Sequence, residues 1–165
     1  MISVQDIAFV RYQVTDLDLM GRFLGDFGLH LAARTPTALY MRAAGSTHHV
    51  HVSELGAENA TVGFGLRVAS ADDLARLAER LGLSVEDNPE PGGGQRVRFT
   101  DPAGFQVDAI HGQAQHAPLP TRAPNAMNSA SERQRLGKAI RLKPAPREML
   151  INALESGTSP AYLMR

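Results

Sequence analysis

The chain repeats itself. FVRYQVTDLDLMGRFLGDFGLHL, starting at Phe9, and GFGLRVASADDLARLAERLGLSV, starting at Gly63, run in step at an offset of 54 residues. At that offset Val14 meets Val68, Asp18 meets Asp72, Arg22 meets Arg76, Gly28 meets Gly82 and Leu29 meets Leu83. The order of element types matches as well, and a repeated supersecondary unit restricts topology more than any single motif does.

Each copy opens with a run of β-forming residues, Ile7–Val14 and Val62–Val68. A helix cap follows: Thr15 or Asp16 in the first copy, and Ser70 with Asp73 at capping-box spacing in the second. Apolar residues then recur at helical spacing, as Met20, Phe23, Leu24 and Phe27, and as Leu74, Leu77, Ala78 and Leu81. Gly28 and Gly82 are placed to end the two helices in the left-handed conformation. Three further strands are expected in each copy: Leu29–Arg34, Ala38–Arg42 and His48–Ser53, then Leu83–Asp87, Gln95–Thr100 and Phe105–Ile110. PEPGGG supplies a wide hairpin in the second copy, and the fold class is α+β, built from two tandem βαβββ modules at about 4–55 and 60–110.

The 165 residues are 43% hydrophobic, enough for a core. No cysteine is present, which excludes disulfides, thiolate chemistry and zinc fingers and leaves only His, Asp and Glu to hold a metal. No apolar run reaches the length of a membrane span, and MISVQDIAFV lacks a basic segment followed by a hydrophobic one. The expectation is a soluble cytoplasmic protein, not bound to membranes. A formal net charge of zero argues against nucleic acid as a partner.

The zero hides an asymmetry: residues 1–110 carry 9 Lys/Arg against 14 Asp/Glu, and residues 111–165 carry 8 against 3. HAPLPTRAPNAMNS, with three prolines, lies at the change. A folded domain over 1–111 and a basic, partly extended arm over 112–165 follow, with Met149, Leu150, Ala153 and Leu154 marking a short helix in the arm.

With VTDLDLMGRFLGDFGLHL and FTDPAGFQVDAI, the tandem pattern resembles the vicinal oxygen chelate superfamily over about residues 4–110. That superfamily includes glyoxalase I, bleomycin-resistance proteins and extradiol ring-cleaving dioxygenases. YMRAAGSTHHVHVSELGAENATVGFGLRVASADDL resembles the extradiol dioxygenases more closely than the other branches. The resemblance implies a cupped sheet around a cavity, with metal ligands on the first and last strand of each module. In the dioxygenases it implies a two-His-one-carboxylate triad that leaves room for a catechol and dioxygen.

Matched position by position, the first-strand ligands fall on Phe9 and Gly63, which cannot coordinate. The last-strand positions fall on His51 and Asp108. Neither set of ligands is complete, so no metal cofactor is expected, with Fe(II) or another divalent metal as the alternative, held by His49, His51 and Asp108. Asp108 also reads as a polar residue satisfied by Arg96 or Arg98 on the neighbouring strand.

Three of the six histidines, His48, His49 and His51, crowd one short stretch. Strand alternation puts His49 and His51 on one face and His48 on the other, and the resemblance implies that the first pair points inward and His48 out. The resemblance places His49 where catalytic domains keep a proton-shuttling histidine, and the plain alternative is a polar strand in water. His111 and His116 are expected to be solvated, and His30 to be structural or on the surface.

Two-domain extradiol dioxygenases are similar beyond residue 110 too, since a proline-containing linker joins their non-catalytic N-terminal domain to the catalytic one. Residues 112–146 resemble that linker; REMLINALESGTSPAYLMR does not resemble the start of a second domain. The leading expectation is therefore an extradiol-dioxygenase-like domain with a degenerate metal site, acting in assembly, as a homodimer or with a catalytic partner domain. The second is a metal-free binding protein for a small aromatic molecule, its cavity lined by Phe9, Tyr12, His49, His51, Asp108 and either Phe64 or Leu66. The third is a metalloenzyme with a non-standard His/Asp site.

Overall fold

The computed structural model describes residues 2–121; the expected short helix of the arm lies outside the described residues. Ten elements follow in the order β1 (Val4–Val14), α1 (Leu17–Asp26), β2 (His30–Arg34), β3 (Ala38–Arg42), β4 (His51–Leu55), β5 (Ala60–Val68), α2 (Ala71–Leu81), β6 (Glu86–Asp87), β7 (Gln95–Thr100) and β8 (Gln106–His111). The two βαβββ modules are both present. Their strands form one curled, mixed sheet in the order β2-β3-β4-β1-β5-β8-β7-β6.

The repeat is visible in the register. In each module the first and last strands run parallel, Val10 beside His51 in one and Phe64 beside Val107 in the other. The modules join where β1 and β5 pair antiparallel, with Val10 opposite Phe64, its equivalent at the 54-residue offset.

Local chemistry accounts for the helices. Asp16 caps α1 by accepting from the backbone N–H of Asp18 and Leu19. Ser70 caps α2 by accepting from Asp73 N–H. Gly82 ends α2 in the left-handed region at φ 66°, where a Cβ would be strained.

Both helices pack on the outer face of the sheet. Leu17 and Leu24 of α1 meet Val14, Leu39 and Met41, while Leu74 and Ala78 of α2 meet Val68, Val97 and Ala109. The expected apolar stripe of α1 is only partly used: Phe23 and Phe27 are exposed and stack on each other with ring centroids 6.1 Å apart. None of the described helices is long and apolar enough to cross a membrane.

The inner face is the concave one, and Phe9, Ala38, Tyr40, Val52 and Ile110 pack there. Two segments close over it. One is the 88–94 hairpin loop, tied by Asn88 N–H to Gly94 O at 2.8 Å. The other is the run after β8, which returns across the cup instead of leaving the domain at His111. Ala114 N–H bonds to Gly92 O, His116 N–H to Ser46 O and Leu119 N–H to Ala44 O, at 2.8–2.9 Å.

Candidate functional site

β1 alternates strictly at its centre, so Phe9 and Arg11 both enter the cup. Arg11 is 1% exposed. Its guanidinium donates to Glu54, to both oxygens of Glu90 at 2.8 Å and to Asp108 Oδ2 at 3.2 Å, and its Cζ lies 5.2 Å from the centre of the Phe9 ring.

Two more arginines on β7 complete the cluster. Arg98 grips Asp108 with a fork, Nε to Oδ1 at 2.5 Å and Nη2 to Oδ2 at 3.0 Å, and reaches Glu90 at 3.1 Å. Arg96 bonds to Glu86 at 2.6 Å and to Glu90 at 3.3 Å. Gln106 fits with its amide oxygen turned to Arg11 Nε and Arg98 Nη2, each 3.2 Å away.

Burial works against a charged Arg11. The bonds and charges of Glu90, then Glu54 and Asp108, outweigh that cost and hold its pKa above the ordinary arginine value. Arg98 is raised in the same way against its own burial, chiefly by Asp108. The cup therefore contains a fixed, fully protonated cation with carboxylates on several sides.

His49 is 0% exposed and sits beside this cluster, its ring centroid 5.1 Å from both Phe9 and Tyr40. Burial first, then the charges of His48 and Arg11, lowers its pKa to about 3, so the ring is neutral at ordinary pH. Its Nδ1 lies 3.0 Å from His48 Nδ1, and its Nε2 is 3.4 Å from the Gln113 amide. A ring that stays neutral and caged cannot deliver a proton near pH 7 without an opening of the cage.

The histidine stretch departs from the expected strand. β4 begins at His51, and residues 48–50 form a bend, so simple alternation does not extend through them. His48 does not face out: it is 8% exposed, packed under Gly92 and against the tilted ring of His116, with centroids 4.6 Å apart. His116 is half-buried, and its Nε2 is buried without a hydrogen-bond partner among the described residues.

His51 lies on the opposite side of the sheet from His49. It stacks on Tyr12 at 5.3 Å and bonds to Ser53 Oγ at 2.8 Å, while Tyr12 packs with the α1-side core. Burial lowers its pKa as well. The register accounts for this placement: Asp108 stands beside Gly65 and its counterpart in the first module is Val52, beside Arg11, whereas His51 matches Val107. A one-residue slip moves a strand side chain to the other face. Phe64 and Leu66 alternate to that outer face too, because Gly65 between them turns to the Phe9 ring.

Among the expected cavity residues, the fold thus brings together Phe9, His49 and Asp108 and separates Tyr12 and His51 from them. Those that come together pack the cup instead of lining an open one, since each is no more than 2% exposed.

A divalent metal of the kind the superfamily uses does not fit these residues. Phe9 fills its position, and its ring occupies the space above Gly65, where an added Cβ would lie 2.6 Å from it. Gly63 is closed to any side chain, because a Cβ there would lie 1.8 Å from Gln106 O. Asp108 is already held by Arg98 and Arg11. Among the described residues no three His, Asp or Glu side chains converge as a metal would require. We expect Gly63→Ala to cost about 3 kcal/mol, the upper end of overpacking penalties, read as a lowered urea midpoint with an unchanged slope.

No protein-family model matches the chain, and no curated protein matches it. Solved structures do. The Mn(II)-bound glyoxalase from Novosphingobium aromaticivorans aligns with a TM-score of 0.66 and 27% identity over 74% of this chain and 44% of its own. Homoprotocatechuate 2,3-dioxygenase from Brevibacterium fuscum, in its complex with 3,4-dihydroxyphenylacetate, aligns at 0.63 and 25% over 72% of this chain and 40% of its own. The enzyme of that name from Arthrobacter globiformis aligns at 0.61 and 26% over 71% and 39%. The chain spans less than half the length of each of these structures. Its described domain is a vicinal oxygen chelate domain. Within that superfamily it is similar to glyoxalases and extradiol dioxygenases.

Proposed function

We propose that this chain is a non-catalytic vicinal oxygen chelate domain of the extradiol-dioxygenase type, serving assembly with a second copy or with a catalytic domain that cleaves catechol-type rings. The observation that carries this reading is Arg11. Its guanidinium lies in the cup, 1% exposed, and is held by Glu54, Glu90 and Asp108. A permanent organic cation offers carboxylates the charge a metal would, but it has no open coordination position for a substrate or dioxygen. The assembly part of the reading is supported by the outer face, where Ile7, Val10, Leu19 and Phe23 are exposed apolar side chains.

The test is iron loading followed by oxygen uptake. Protein purified anaerobically, offered ferrous iron and desalted is expected to retain no stoichiometric iron and to consume no oxygen with 3,4-dihydroxyphenylacetate. Sedimentation of the same sample is expected to show a dimer. Near-stoichiometric iron together with ring cleavage would overturn the non-catalytic reading, and a strict monomer would remove self-assembly from it.

A further inference from the structure

Arg67 has a different environment from the arginines at the centre of the cup. It is half-buried on β5 and donates through Nη2 to Thr47 Oγ1 at 3.3 Å. Among the described residues it makes no ion pair, whereas Arg11, Arg96 and Arg98 each hold carboxylates. Asp6, opposite Arg67 on β1, instead accepts from the backbone N–H of Ile7 at 2.8 Å.

Arg67 borders a pocket of about 240 Å³ at the rim of the cup, beneath the run that follows β8. Among the described residues no Asp or Glu lines it. The side chains that do include the amides of Gln5, Gln113 and Gln115, the Thr47 hydroxyl and the His111 imidazole, all able to donate hydrogen bonds. Its apolar lining is Ile110, from the inner face of the sheet, with Ala69 and Ala114.

We propose that this pocket binds a small organic carboxylate, its anionic end on Arg67 and the neighbouring amides and its short apolar body against Ile110, Ala69 and Ala114. Three physical considerations select that class. A guanidinium is charged at every physiological pH, and one withdrawn from water without a counter-ion is stabilised by an anion that matches its planar fork. The pocket is smaller than the roughly 300–1,000 Å³ of sites for drug-sized ligands, so the occupant is a small molecule. The apolar wall would leave a bare inorganic anion with half of its surroundings unmatched. The proposal does not depend on the assembly role given above.

The experiment is a titration of the full chain, followed by ¹H–¹⁵N spectra, with phenylacetate, its neutral analogue phenylacetamide, and inorganic phosphate. Phenylacetate is expected to saturate with shifts at Arg67, Gln113 and Ile110, and phenylacetamide to bind roughly tenfold more weakly or less. Arg67→Gln is expected to lose about tenfold or more in affinity, and Arg67→Lys to retain part of it, a point charge replacing a fork. Three results would overturn the proposal: phenylacetamide binding as well as phenylacetate, phosphate binding where phenylacetate does not, or wild-type spectra unmoved by phenylacetate. If Arg67→Gln fails to give a folded spectrum, the acid–amide comparison on the wild type and the lysine variant decide. A folded Arg67→Gln that binds phenylacetate unchanged would also overturn it.

Discussion

Arg11→Met will destabilise the domain by about 3–5 kcal/mol, the cost of breaking a buried ion cluster by removing one partner. The methionine keeps much of the side-chain volume and the contact with Phe9 but leaves Glu54, Glu90 and Asp108 without their shared donor. The three carboxylates differ in what they can do next. Glu54, 41% exposed at its side chain, can rehydrate; Asp108, 2% exposed, cannot, and keeps only the Arg98 fork. Glu90 stands between them at 12% and belongs to the 88–94 loop, so that loop is expected to loosen first.

A second substitution separates charge from packing. Glu90→Gln is expected to be destabilising alone and less so in the Arg11→Met background, with a coupling of about 0.5–3 kcal/mol, because it removes a charge that the first change orphaned. Urea unfolding of the four proteins measures this. A loss below about 1 kcal/mol in Arg11→Met would mean that the cluster is not what holds the cup closed.

Acidification will weaken the fold through His49. In the unfolded chain this ring takes up a proton near the ordinary value of 6.5, whereas in the fold it does so only near 3. Between those values the unfolded state binds more protons, so unfolding becomes easier as pH falls. The stabilisation is fully present above about 6.5 and is lost on the way down. At about 1.4 kcal/mol per unit, the drop from about pH 6.5 to 4.5 is on the order of 2–3 kcal/mol. The lowered values of His48 and His51 act in the same direction. His49→Phe keeps a ring between Phe9 and Tyr40 and removes the titration, so it is expected to flatten the slope of stability against pH. A variant with the wild-type slope would show that the acid sensitivity lies elsewhere.

Much of the fold was readable because its signals are local. A 54-residue offset, a Ser70–Asp73 cap and a glycine at 82 each act within a few residues, and helix spacing places Leu74 and Ala78 on one face whatever surrounds them. The histidines show where such reading stops. Alternation carried through residues 48–53 puts His49 and His51 on one face, but the bend at 48–50 resets the count and His51 goes to the helix side.

Arg11 escaped notice altogether, although a signal existed: a charged residue two positions after Phe9, in the inward phase of a strand. Its meaning comes from Glu54, Asp108 and Glu90, which lie 43, 97 and 79 residues away in the chain. The two modules, their helices and the loss of ligand types at Phe9 and Gly63 are written in the chain, because they depend on residue identity and short-range geometry. That the cup is closed by residues 88–94 and 112–119 and centred on an arginine emerges only when the strands assemble. Face, register and convergence of charge are properties of strands brought side by side, and no local pattern encodes which distant carboxylate will meet which guanidinium.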